Sequence, residues 1–328
     1  MICTCQWCGL SGTEDDFELD TVNNDGFWCP DCDGHSFFDP EKNRHRRVLL
    51  LLENPDAEIS KAGKLPIKLK KHLSPLRYPG GKSRIIDCLA PRFYRDQMDT
   101  FVEAFAGGVS VGLSLLEAGL IKKLVINDTD AGVYSFWDSV VNHPEDLLDR
   151  LENIVPDKTM YKTCQEILKD PSDWCKEELA WAMLVCNRLS FSGIVRANSM
   201  GGKDGTTEQL LCRWNPKTLE QRIRLIHSMR DRIEVSRIDA VDLIENSAYW
   251  DDKATLFIDP PYVMKGKDLY LEYYDEEDHA NLAWMIRTLY QGMPGADIVI
   301  TYDDCPFIRN EYFFAEIEVI GRKYSICQ

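Results

Sequence analysis

Apolar residues recur along this chain in two rhythms, and the alternation between them predicts an α/β sheet. Short continuous runs form one rhythm: Thr100-Phe101-Val102, Leu124-Val125-Ile126, Ile233 to Asp239, Ala254-Thr255-Leu256-Phe257-Ile258 and Ala296 to Tyr302. Such runs, partly β-branched, read as strands buried on both faces of a parallel sheet. The other rhythm has helical spacing, as in the stretch ending at Leu116 and in Tyr274 to Tyr290. From about 143 to 232 the chain is helical and polar, with Trp181, Leu184, Val185 and Leu189 spaced as a helix core. That region reads as an insertion between strands. From Asp39 to His72 the sequence is basic and mixed. Arg46 to Glu53 predicts one short apolar element, and Asn54-Pro55, Gly63 and Pro66 make the remainder a linker. The expected division is a small module over 1–40, a basic linker over 41–72 and an α/β domain over 73–328.

Composition narrows the class. No apolar run reaches the roughly 18 residues that span a membrane. The start, Met1-Ile2-Cys3-Thr4-Cys5, lacks the basic and apolar regions of a secretory signal, so a cytoplasmic protein is expected. The formal net charge of -16 argues against a polyanionic partner at first sight. Its distribution reopens the question, because basic residues concentrate from Lys42 to Arg95 and again from Arg188 to Arg237.

Twelve cysteines in a cytosolic chain point to metal ligands and reduced thiols rather than disulfides. Cys5-Gln6-Trp7-Cys8 and Cys29-Pro30-Asp31-Cys32 are two Cys-x-x-Cys knuckles. The chain between them suits one β-hairpin turning at Asn23 to Gly26. Four thiolates so spaced can close a tetrahedral structural zinc site, so Cys5, Cys8, Cys29 and Cys32 are the expected ligands of a zinc ribbon. Cys3 and His35 are nearby spares.

Three features carry candidate chemistry. Phe105-Ala106-Gly107-Gly108 follows a strand and precedes a helix, a glycine elbow that lets a ligand approach the backbone. The next strand ends at Asn127-Asp128, an acid placed to accept hydrogen bonds from ribose hydroxyls. Elbow and acid together favour an adenosine-bearing ligand. Asp259-Pro260-Pro261-Tyr262 closes the run Ala254 to Ile258. A carboxylate, two prolines and a ring at a strand end suit a planar heterocycle with an exocyclic amine, although Pro-Pro also serves simply to end a strand. Tyr78-Pro79-Gly80-Gly81-Lys82 is not a phosphate loop, because that motif needs glycine at Leu76. As a turn it aims a lysine and a tyrosine at a small anionic or zwitterionic ligand.

Five pieces in order resemble the Dam-like, or D12, class of DNA N6-adenine methyltransferases. They are Arg77 to Lys82, Glu103 to Gly108, Asn127-Asp128, Asn187-Arg188 with Phe191-Ser192-Gly193, and Asp259 to Tyr262. The resemblance covers roughly residues 73–328. It implies a Rossmann-like sheet with a target-recognition insertion, S-adenosylmethionine as methyl donor, and a flipped adenine of double-stranded DNA as substrate. Residues implied to hold the cofactor are Tyr78, Lys82, Phe105, Gly107, Asp128 and Asp239. Asp259, the Pro260 carbonyl and Tyr262 would hold the base, and Arg188, Phe191 and Ser192 would lie near DNA. A cognate restriction enzyme is a candidate partner. An N4-cytosine methyltransferase is the alternative within the chemistry, although its motif usually starts with serine. A catalytically inactive, zinc-containing nucleic-acid-binding protein is the alternative outside it. Two departures stand out: Ala104 occupies a place where proline is common, and the chain stops near Tyr324 to Gln328, where a further strand usually follows.

Overall fold

The computed structural model describes residues 2–4, 11–13, 17–19, 26–30, 35–37, 48–59, 65, 67–78, 80–93, 98–245, 253–263, 274–292 and 296–321. Its centre is a seven-stranded sheet. The strands are β1 (Val48–Ile59), β2 (Thr100–Glu103), β3 (Lys123–Asn127), β4 (Ile233–Ser236), β5 (Ala254–Ile258), β6 (Asp297–Asp303) and β7 (Glu316–Gly321). Their spatial order is β7-β1-β6-β5-β2-β3-β4, and every pair is parallel.

The continuous apolar runs are buried on both faces, as parallel strands require. In β1, Leu49 and Leu51 join one core cluster while Val48, Leu50 and Leu52 join the other. Helices α1 (Ile86–Phe93), α2 (Ser110–Glu117) and α3 (Ala131–Asn142) cover the first face. The insertion stacks on them with α4 (Glu145–Asn153), α5 (Lys158–Lys169), α6 (Lys176–Leu189), α7 (Thr207–Leu210) and α8 (Pro216–His227). Helix α6 is buried from Leu179 to Leu189, as expected for a helix packed on all sides. The second face is covered by α9 (Ala240–Glu245), α10 (Glu276–Gly292) and α11 (Pro306–Glu311).

One expectation needs correction. Residues 48–59 belong to the sheet, not to a linker. Strand β1 lies between β6 and β7, with Glu53 opposite Asp303 and Ile320. Val48 to Leu52 form a short apolar element, as read, but its partners come from the far end of the chain. Non-local pairing of that kind leaves no local signal. The C-terminal residues 322–328 lie outside the described residues.

Short antiparallel strands occupy the N-terminal region: Ile2–Thr4 with Ser11–Thr13, and Glu18–Leu19, Gly26–Trp28 and His35–Phe37 as a second sheet. Cys29 is buried directly after Gly26–Trp28. Cys5, Cys8 and Cys32 lie outside the described residues, as does most of the hairpin turn. Among the described residues no cluster of three metal-ligating side chains occurs. No helix among them is long and apolar enough to cross a membrane.

Candidate active site

The chain leaves β2 toward β3 and β4 on one side of the sheet, then returns at β5 on the other. The carboxyl ends of β2 and β5 are therefore the switch point at which open α/β sheets bind ligands. A cavity of about 360 Å³ opens there. Tyr78, Lys82, Phe105, Gly107, Asp128 and Asp239, expected at the cofactor, all line it, together with Asp259. Glu103, Pro261, Tyr274 and Asn281 also line it, none of them among the residues expected at the cofactor.

The elbow after β2 is built by close contacts. Gly107 has φ +46°, and a Cβ there would meet the Tyr78 ring at 2.6 Å. At Gly108 a Cβ would lie 2.9 Å from the Tyr78 Cβ. Both glycines thus let Tyr78 lie against the elbow. Val109, left-handed at φ 47°, starts α2; a β-branched residue there costs on the order of 1–3 kcal/mol. Trp137 Nε1 donates to the Gly107 carbonyl at 2.9 Å, and Asp128 Oδ2 accepts from the Gly107 amide at 2.9 Å. Buried Asn127 ties the strand ends together, donating to the carbonyls of Ala104 and Ile238. Phe105 meets Tyr274 edge to face at 5.4 Å.

At the end of β5 the charges are tightly paired. Lys82 is 2 % exposed, and its Nζ lies 2.6 Å from both Asp259 carboxylate oxygens. The same nitrogen donates to Tyr262 Oη at 2.9 Å and to the Gly80 carbonyl at 3.1 Å. Glu53 Oε1, brought in by β1, lies 3.5 Å away. Thr301 on β6 donates to Asp259 Oδ1 at 2.5 Å. Burial raises the Asp259 carboxyl above its ordinary value; Lys82 pulls it down, while Glu53 pushes it up. Glu103, at the end of β2, is pushed up to about 8, chiefly by burial, although the Gly112 amide donates to it at 2.6 Å. Glu103 is therefore mostly protonated at neutral pH.

Three expected residues sit differently from their implied roles. Lys82 lines the cavity but spends its ammonium on Asp259 and Tyr262. Tyr262 is 6 % exposed, its ring packed in the second core cluster and its hydroxyl held by Lys82. Arg188 is buried, donating to the carbonyls of Arg213 and Pro75. Phe191 is exposed at 38 %, and Ser192 beside it is left-handed at φ 58°. Sequence reasoning missed Glu53 and Thr301. Each sits in a strand that shows only an apolar pattern, and nothing local links either to Asp259.

The cavity's chemistry suits S-adenosylmethionine. Asp128, Asp239 and Asp259 line it, and the Lys82 charge is already engaged. Such walls favour a sulfonium and an ammonium and repel the pyrophosphate of a dinucleotide. Asp128 stands at a strand end where a ribose would lie, and the Phe105 and Tyr274 rings offer an apolar flank for a purine.

Residues 78–326 match the model of the D12 class N6 adenine-specific DNA methyltransferase family. The chain belongs to that family. It is similar to the type II methyltransferase M.FokI of Planomicrobium okeanokoites, 23% identical over 195 residues, covering 58% of this chain and 29% of that protein. It is also similar to the type II methyltransferase M.MjaIII of Methanocaldococcus jannaschii, 22% identical over 234 residues, covering 65% of this chain and 79% of that protein. The matched part of this chain thus spans less than a third of the first relative and most of the second. Strand β1, and Glu53 with it, precedes the region matched by the family model.

Proposed function

We propose that this protein transfers a methyl group to the exocyclic N6 of a flipped adenine in double-stranded DNA, at a specific sequence. The observation that carries the reading is Asp259 held at the end of β5 by Lys82 and Thr301, on the wall of the cavity that the family implies for the cofactor.

Tyr78, Phe105, Gly107, Asp128 and Asp239 are the proposed cofactor contacts, with Asp128 toward the ribose. When bound, S-adenosylmethionine supplies an electrophilic methyl group. The residues must then make a poor nucleophile attack it. Adenine's exocyclic nitrogen delocalises its lone pair into the ring. Asp259 and the Pro260 carbonyl each accept one of its N–H bonds, which favours the pyramidal, electron-rich nitrogen. Lys82 and Thr301 fix the Asp259 carboxylate before the base arrives, so little reorganisation is left for the reaction. Tyr262 is the proposed stacking face, which requires its ring to leave its packing in the second core cluster as the base enters. Stacking there offsets part of the few kcal/mol needed to extrude the base. Phe191 and Ser192 are proposed to face the duplex, with the helical insertion over 143–232 reading sequence. Arg188 is proposed to support that surface through the backbone it holds.

Both relatives carry the name type II methyltransferase, and on that likeness a cognate restriction enzyme is the proposed partner in the cytoplasm. The N-terminal module is proposed to hold one structural zinc through Cys5, Cys8, Cys29 and Cys32. Metal analysis of protein purified without chelator should find one zinc per chain, and zinc-free folded protein would refute the site.

Incubating the protein with plasmid DNA and S-adenosylmethionine, then mapping modified bases, tests the activity. N6-methyladenine at one short sequence is expected, and Asp259→Ala should lower transfer by about a thousandfold or more while leaving the fold intact. Methylation at cytosine N4, or full activity in Asp259→Ala, would overturn the assignment.

A further inference from the structure

Among the described residues of this acidic chain, arginines gather at one edge of the insertion with no carboxylate salt bridge to them. Arg188, buried beneath it, donates to the Arg213 and Pro75 carbonyls. Arg222 on α8 donates to the neighbouring Ser74 carbonyl at 2.9 Å. Asn187 clamps the Arg77 backbone from both sides, accepting from its amide at 2.7 Å and donating to its carbonyl at 3.0 Å. The loop after α6 closes on the same point: a Cβ at Gly193 would lie 1.9 Å from the Arg77 carbonyl oxygen. These contacts bring Arg77, Arg213 and Arg222 around the segment 74–77, beside exposed Phe191.

The guanidinium groups repel one another. Desolvation lowers the Arg77 pKa first, and Arg213, Arg84 and Arg222 lower it further. Among the described residues, no carboxylate forms a salt bridge with Arg77, Arg188, Arg213 or Arg222. Arg213 Nη1 is buried with no hydrogen-bond partner. A folded protein with net charge -16 has carboxylates to spare. Clustered cations that none of them neutralises form a site for an external anion, and planar guanidinium forks match tetrahedral oxyanions.

We propose that Arg77, Arg213 and Arg222 bind a backbone phosphate of the DNA strand, next to the point where Phe191 meets the duplex. The proposal rests on the methyltransferase reading for the identity of the polyanion. Arg77 is adjacent in sequence to Tyr78, which packs on the glycine elbow. A phosphate seated on Arg77 therefore anchors the duplex within reach of the cavity. Such a contact positions DNA without reading its sequence.

The test measures duplex binding by the full-length protein over a salt series, for the wild type, Arg77→Gln and Arg213→Gln. Arg224→Gln serves as control, because Arg224 is exposed on α8 and paired with Glu220. Replacing one arginine weakens the neutralisation of that phosphate and should reduce the slope of log K against log salt, by at most about 0.9. Binding to target and unrelated duplexes should weaken by a similar factor, with S-adenosylmethionine affinity unchanged. The exposed Arg77 side chain makes Arg77→Gln the deciding variant should Arg213→Gln fail to fold. An unchanged slope in Arg77→Gln overturns the site, as does weakened S-adenosylmethionine binding, which would assign these arginines to the cofactor carboxylate. Altered slopes from a wild type that methylates no adenine would uphold the anion site and defeat the methyltransferase reading. Adenine methylation with unaltered slopes would do the reverse.

Discussion

Two groups of charged side chains lie on either side of the turn at Tyr78 to Lys82, and they are balanced in opposite ways. On the cavity side, Lys82 sits among Asp259, Glu53 and Tyr262, with its charge met inside the protein. On the insertion side, Arg77, Arg188, Arg213 and Arg222 have carbonyls and each other but no carboxylate among the described residues. Internal pairing fixes a geometry in advance. Unpaired like charges store a repulsion that an incoming anion relieves. The first arrangement suits the proposed methyl transfer, in which Asp259 is held still, and the second suits the proposed contact with a polymer that arrives and leaves.

Lys82→Met attacks the paired side most directly. It removes the ammonium between buried Glu53 and partly buried Asp259, a loss worth up to about 3–5 kcal/mol of stability, and methyl transfer should collapse with it. Denaturant unfolding together with a transfer assay would show this, and an unaltered unfolding midpoint would mean that the pairing contributes nothing to the fold.

Glu53→Gln is subtler. If Glu53 positions Lys82, kcat should fall by about tenfold, the equivalent of about 1.4 kcal/mol, with KM for DNA and cofactor affinity almost constant. In a Lys82→Met background the same change should cost no further activity, because the two act as one unit. Equal losses in both backgrounds would reduce Glu53 to packing.

A separate, pH-dependent effect concerns Glu103, whose carboxyl moves from an ordinary value of 4.5 to about 8 in the fold. Between those values the native state holds a proton that the unfolded state releases. Stability from this group is therefore present below 4.5 and declines as pH rises toward 8, by about 1.4 kcal/mol per pH unit. Glu103→Gln keeps a neutral acceptor for the Gly112 amide, so unfolding measured across that range should show a flatter pH dependence. An unchanged slope would mean that Glu103 is ionised in the native protein.

Much of this organisation was legible in the chain. The runs Leu124 to Ile126 and Ala254 to Ile258 became β3 and β5, because short, mostly apolar, partly β-branched runs buried on both faces have few other uses. The glycine elbow, Asp128 and Asp239 came together at the switch point, as acids and glycines at strand ends do in such sheets. Arg188 reads as a surface cation from its type. Burial on α6 turns it inward, where desolvation lowers its pKa to about 10.

The sequence by itself determined five of the seven sheet strands, β2 to β6, and which family the chain resembles, because those properties reside in neighbouring residues; β7 (Glu316–Gly321) it did not announce. Only the tertiary structure decided that Val48 to Ile59 enters the sheet and delivers Glu53 to Lys82, and that four arginines from separate segments share one place. Both depend on contacts between residues far apart in the chain, where the patterning of either segment says nothing about its partner.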